Sequence, residues 1–400
     1  MKTFKKADIL IPKDIDFTKW SVVACDQYTS EPEYWNSAAE LIGDAPSALN
    51  LVFPEVFLSE GNARIEKINN TMAEYLETGI FEECLDSMIY VERTMANGKT
   101  RRGIIGAVDL EDYDFSKGSK SKIRATEGTV LERIPPRVKI RENAPLELPH
   151  IMLLIDDKDK TVIEPTVPSE KIYDFDLMAN SGHMTGYLLS DNEADRVLSA
   201  LDALCENAEG NLLFAVGDGN HSLATAKTCW ENLKKTLSPQ EQQNHPARFC
   251  LVEIENIHDD ALEFEPIHRV VFGTDPEKLI ADFKAYYPDC SQSDNGGQHI
   301  VYMYGGKKGD LYIKNSPSAL TVGTLQTFLD KQGLKVDYIH GADVTERLSK
   351  EDGNIGFLLP PMQKSDLFKG VIADGALPRK TFSMGEAEDK KFYFEAKKIK

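Results

Sequence analysis

Residues 212–237 read as a strand, a glycine turn and a helix with no spacer between them, and that order constrains the fold more than any other stretch. Leu212 to Val216 is an apolar run of strand length. The turn Gly217-Asp218-Gly219-Asn220-His221-Ser222 follows it. Leu223, Ala226, Trp230, Leu233 and Leu237 then recur at spacings of three and four, the period of a helix with one buried face. A further apolar run, Phe249 to Ile254, fits a strand beside the first. The class implied is α/β, mixed α+β in detail, with a mixed sheet.

Other stretches supply the frame. Ile65, Ile68, Met72, Tyr75 and Leu76 share a helical face that Gly79 is placed to close. Residues 87–109 read as a hairpin about Asn97-Gly98, a turn in which both residues take positive φ. From about 115 to 149 the pattern is polar and loop-like. The run 150–155 reads as a buried strand, with Thr161 to Ile163 returning beside it. Ser190 to Glu193 has the form of a capping box opening a helix. Beyond Gly273 a helix over 276–287 and a hairpin around Gly305–Gly309 begin a further region. A chain of 400 residues is long for one core. The division expected is an N-terminal α+β region at 1–115, a core domain at 116–275 and a C-terminal α+β region at 276–400.

The net charge of −19 disfavours a protein that coats nucleic acid or an anionic membrane. No stretch approaches the apolar length needed to span a bilayer, and the first residues do not form an export signal. Six scattered cysteines without zinc spacing read as free thiols in a reducing cytoplasm.

Two places hold residues suited to chemistry. At the 217–222 turn, Gly217 and Gly219 permit close approach of the backbone to a ligand, and a helix N-terminus favours an anion. Asn220 and His221 add donors, and Asp218 offers a carboxylate for magnesium. A plainer account has Asp218 or Ser222 simply capping the helix. The second place is Glu127, within a stretch that carries eight basic residues against two acidic ones from Lys117 to Arg141. Arg124, Arg133, Arg137 and Arg141 beside a carboxylate suit a phosphate pocket with a general base, or equally a surface laced with weak ion pairs. His150, His183 and His268 read as structural. Asp26 and Tyr28 follow a strand end and could reach a cleft, and no Ser-His-Asp arrangement with a nucleophile elbow is visible.

Ile123-Arg-Ala-Thr-Glu-Gly-Thr129, Gly217-Asp-Gly-Asn-His-Ser222 and Pro266-Ile-His-Arg269 together resemble the bacterial and archaeal family called domain of unknown function 1015. The resemblance runs over nearly the whole chain, including Cys25 to Tyr28 and Leu377 to Lys380. Many relatives read H-E-K-T and D-G-H-H-R at the two central motifs. Those look like the motifs of free serine kinases with a ParB/sulfiredoxin-like fold. The resemblance implies such a core here, with Glu127 as base, Asp218 linked to metal, and Asn220 and His221 holding phosphates. The chain departs from the pattern at Thr126, Asn220 and Ser222. The last stands where relatives carry arginine, a bidentate phosphate ligand.

The function implied is a magnesium-assisted, nucleotide-dependent phosphotransferase acting on a small hydroxyl compound, with serine as one candidate. Glu127 and His221 would be catalytic. Gly217, Gly219, Asn220, His221, Ser222, Arg124, Arg133 and Arg137 would hold ATP or ADP, and Asp218 the metal. A nucleotide-sensing protein without turnover and a metal-assisted phosphohydrolase are the alternatives. A small-molecule substrate is the expected partner, and oligomer formation is left open.

Overall fold

The computed structural model describes residues 2–29 and 31–400. Contacts divide the chain into two compact units. One comprises residues 1–125, 129–262 and 385–400, and the other residues 126–128 and 263–384.

The first unit is built on a mixed sheet, ten-stranded among the described residues. Its order is Glu170–Asp176, His183–Leu188, Ile89–Thr94, Thr100–Asp109, Phe249–Asn256, Met152–Ile155, Phe214–Asp218, Ile123–Arg124 and Tyr113–Asp114, with Phe4–Lys5 on the flank of Thr100–Asp109. Successive side chains of a strand face opposite ways, so both faces can be buried. Ile89, Val91, Ile105 and Leu251 pack on one side with Trp35, Ile42, Ile68 and Met72 from the helices Pro32–Ile42 and Gly61–Glu77. Tyr90, Ile104, Val252 and Ile254 pack on the other with Val197, Leu201, Leu223 and Trp230 from the helices Asp191–Glu206 and Asn220–Lys234. Fully burying a side chain of this size contributes roughly 1.5–3 kcal/mol. The mixed α/β class expected from the sequence is the class observed.

The second unit holds an antiparallel sheet, six-stranded among the described residues. Lys307–Ile313, Gln298–Tyr304, Ile355–Leu358, Phe264–Phe272 and Lys335–His340 follow in order, and Phe382–Met384 pairs with the start of Phe264–Phe272. Gly305 and Gly306 both have positive φ, as a tight hairpin turn needs. Among the described residues of the chain, no helix is long and apolar enough to cross a membrane.

Three local expectations are corrected. The hairpin at 95–99 gives positive φ to Gly98 and not to Asn97, because Gly98 N–H returns to Met95 O and Met95 N–H to Lys99 O around a longer loop. The polar stretch before 149 contains a helix, Ile134–Arg141, with Pro135 and Pro136 in its first turn, where a missing N–H costs nothing. Thr161 to Ile163 is not a strand. The Asp157 carboxylate accepts from Val162 N at 2.8 Å and Thr161 N at 2.6 Å and curls the chain, while Val162 and Ile163 still reach the core. The helix at 191 starts where expected, with Ser190 Oγ accepting from Glu193 N at 3.3 Å, but only half of the capping box forms, because the Glu193 carboxylate accepts from Val167 N at 3.2 Å.

A buried ionic cluster lies within the first unit. Lys391 Nζ sits 2.6 Å from Glu253 and 3.3 Å from Glu395, and Arg101 Nε lies 2.8 Å from Glu255. Gly103 makes room for it, since a Cβ there would stand 2.4 Å from Glu253 Oε1. Burial pushes the Glu255 carboxyl up to about 8, Arg101 opposes the rise, and Glu253 and Asp259 add to it. An acid whose folded pKa lies above its unfolded value of 4.5 stabilises fully below that value, and the contribution is lost as pH rises through about 8. Glu255→Gln removes this loss. Its melting temperature relative to wild type is therefore expected to climb from about pH 5 to about pH 9, as followed by circular dichroism. A flat or falling difference would contradict the assignment.

Candidate functional site

The 217–222 turn takes its shape from Gly219. This residue has φ 82° and ψ 25°, the left-handed region, and forms the N-cap of the helix Asn220–Lys234. Space demands glycine too, because a Cβ would stand 3.0 Å from Ile151 Cα and 3.0 Å from Ile151 Cγ1. Glycine at the N-cap brings no side chain to the first helical turn, and that turn contains no acidic residue. Neighbouring helices differ: Ser190 caps one, and Ser238 with Glu241 forms a full capping box on another. The N-cap position falls on Gly219, with Asp218 before it and Ser222 inside the first helical turn.

Asp218 is engaged elsewhere. Its Oδ1 accepts from Gly219 N at 2.9 Å, and its Oδ2 lies 3.5 Å from Lys390 Nζ. The strand bulges between Val216 and Asp218 as it meets Leu153 and Met152. His221 Nε2 accepts from Val130 N at 3.4 Å, which leaves the ring proton on Nδ1.

Ser222 turns its hydroxyl toward His150, 3.0 Å from Nε2. The other ring nitrogen lies 2.7 Å from Tyr393 Oη, and that oxygen accepts from Cys25 N at 3.2 Å. Asp26 Oδ2 stands 3.7 Å from His150 Nε2. Burial alone would raise the Asp26 carboxyl; the adjacent His150 and the Gln27 amide outweigh it and hold it below the usual range. Burial pushes the Cys25 thiol up to about 12, so it is neutral. Ser222, His150 and Asp26 thus meet, although Asp26 and Ser222 approach the same nitrogen and do not form a relay across the ring. Tyr28 stacks on Tyr34 at 3.9 Å, and His183 bridges two surface aspartates, 2.7 Å from Asp176.

Three arginines of the basic stretch are drawn into contacts within the fold. Arg124 is 1% exposed and donates to the carbonyls of Ser121, at 2.8 Å, and Gly210. Arg137 pairs with Glu55 and donates to Arg133 O at 2.8 Å, and Arg141 pairs with Glu147. Arg133 is exposed. Arg124 and Arg137, expected to hold phosphate, thus both have structural partners in place.

Glu127 belongs to the second unit and His221 to the first. Lys380 N donates to Glu127 Oε1 at 3.1 Å, and Leu377 N donates to Thr126 O at 2.7 Å. Arg269, wholly buried, donates to Gln326 Oε1 and to Arg379 O, both at 3.0 Å, and lies over the Tyr338 ring. Burial lowers its pKa to about 10 despite the nearby negative charge of Glu127. His268 accepts from Leu359 N at 3.2 Å and is pushed down to about 4 by burial, so it is neutral and structural, as its sequence setting implied. The segments at 126–128, 266–269 and 377–380 thus gather in one unit.

Magnesium takes oxygen ligands, usually one or two carboxylates beside phosphate. Here Asp218 is already balanced by an ammonium group. Among the described residues, no three His, Cys, Asp or Glu stand close enough together to hold a metal.

The family model described as "Protein of unknown function (DUF1015)" matches residues 9–332. No curated protein matches the chain. Among solved structures, SbnI with a C-terminal truncation, from Staphylococcus aureus, is similar at 10% identity over 70% of this chain and 82% of that one, with a TM-score of 0.38. A free serine kinase in complex with AMP is similar at 10% identity over 72% and 93%, TM-score 0.38. A conserved hypothetical protein from Pyrococcus furiosus is similar at 10% identity over 74% and 95%, TM-score 0.37.

Gly219→Ala is expected to cost about 1–2 kcal/mol from left-handed strain alone, more if Ile151 cannot yield. Urea unfolding monitored by fluorescence measures it, and an unchanged midpoint would show that the turn does not need glycine.

Proposed function

The chain belongs to the DUF1015 family, and we propose that it is a nucleotide-dependent phosphotransferase. In this reading the 217–222 turn binds the phosphates of ATP or ADP, and the acceptor is a small hydroxyl compound, serine being one candidate. The observation that carries the reading is the helix start at Gly219. Its N–H groups and positive partial charge favour an anion by ~0.3–1 kcal/mol per charge, and toward ~2 where partly buried. Lys390 draws the Asp218 carboxylate into an ion pair, which offsets a charge that would otherwise repel phosphate. Motif resemblance adds Asn220 and His221 as residues that hold phosphate. Motif resemblance gives Glu127 the part of the base that takes the acceptor's proton, a contribution of about 10²–10⁴ in rate.

A second reading, a nucleotide-responsive binding protein without turnover, is favoured by one specific observation. With Ser222 turned to His150 and with Arg124 and Arg137 paired elsewhere, these residues do not supply the guanidinium that a transferring phosphoryl group commonly meets.

Phosphorus NMR of the full chain with magnesium ATP or ADP and a panel of hydroxyl amino acids separates the two. The phosphotransferase reading expects a phosphorylated acceptor, with Glu127→Gln slower by about 10²–10⁴. It also expects His221→Ala to weaken nucleotide binding by about tenfold. Binding without product supports the second reading, and release of inorganic phosphate alone points to hydrolysis. No nucleotide binding at all would overturn both.

A further inference from the structure

A pocket of about 150 Å³ lies in the first unit, on the Ser222 side of the turn. Leu51, Phe53, Met72, Ile140, Leu146 and Leu148 give it an apolar wall. A cavity of about this size, lined by such side chains, accommodates benzene. Of the two arginines at its edge, Arg137 pairs with Glu55, and Arg141 shares Glu147 with Lys397, whose Nζ lies 3.3 Å from that carboxylate. One polar end remains, made by Ser222 and His150.

Proton accounting fixes what that end offers. Tyr393 is 1% exposed, and its oxygen already accepts from Cys25 N, so its own O–H needs an acceptor. His150 Nδ1, at 2.7 Å, is that acceptor. The imidazole proton is then on Nε2, facing Ser222 Oγ at 3.0 Å and the Asp26 carboxylate at 3.7 Å. Ser222 accepts from the histidine, and its hydroxyl proton is left to donate to whatever enters the pocket. A histidine N–H and the first turn of a helix stand behind that donor and favour an oxygen carrying negative charge, against the opposing Asp26 carboxylate.

We propose that this pocket binds a small monocarboxylate with a single-ring or branched apolar body, its carboxylate accepting the Ser222 O–H. His150 is a positioning residue: through Nε2–H it aims the serine, and through Nδ1 it is itself held by Tyr393. The site is independent of phosphate binding at the turn, so loss of nucleotide affinity does not by itself remove it.

Benzoate, benzyl alcohol and benzylamine titrated into the full chain by calorimetry test the proposal. Benzoate is expected to bind, and benzyl alcohol and benzylamine more weakly. Ser222→Ala should weaken benzoate by about tenfold and leave benzyl alcohol less affected. Leu146→Trp, which fills the pocket, should abolish binding. If that variant does not fold, transferred NOEs from the benzoate ring to the Met72 methyl of the wild type give the same answer. Absence of benzoate binding, equal affinity for benzylamine, or an unaltered Ser222→Ala titration would overturn it.

Discussion

The left-handed backbone at Gly219, pressed against Ile151, is the constraint on which the rest of the turn depends. It ends the buried strand Phe214–Asp218 and starts the helix Asn220–Lys234 within one residue. That abrupt change leaves Asp218 beside its own loop, where it meets the Gly219 N–H and the Lys390 ammonium. It also sends the side chains of His221 and Ser222 to different surroundings. His221 meets the backbone of Val130, and Ser222 meets His150. A residue with a Cβ at 219 would disturb all of these contacts together.

The two functional proposals use different atoms of the same helix start. Phosphate recognition draws on backbone N–H groups and the partial charge of the helix, which need no particular side chain at position 222. The pocket uses the Ser222 hydroxyl. Ser222 is a short side chain held there by a buried histidine, His150. That histidine is fixed in turn by Tyr393, which also receives the Cys25 N–H.

Much of the architecture was legible because its signals are local. The period of Leu223, Ala226 and Trp230 marked the helix, and Gly219 marked the turn, since both depend on residues a few places apart. The helix Ile134–Arg141 was hidden by Pro135 and Pro136, which read as breakers unless their place in the first turn is known. The basic stretch misled for a different reason. Arg137 and Arg141 pair with Glu55 and Glu147, and Arg124 donates to backbone carbonyls, none of which local charge counting can see. Ser222, His150 and Tyr393 were beyond reach altogether, because partners 72 and 243 residues apart leave no trace in spacing. His150 carried one faint cue, its place between Pro149 and the buried strand Met152–Ile155.

Phosphate recognition at the helix start is the central claim, and amide chemical shifts read it most directly. With the chain labelled with ¹⁵N and titrated with ADP, the account predicts saturable downfield shifts of the Asn220 and His221 N–H signals, reproduced by pyrophosphate and absent with adenosine. Shifts confined to other residues, or a response to adenosine equal to that with ADP, would contradict it.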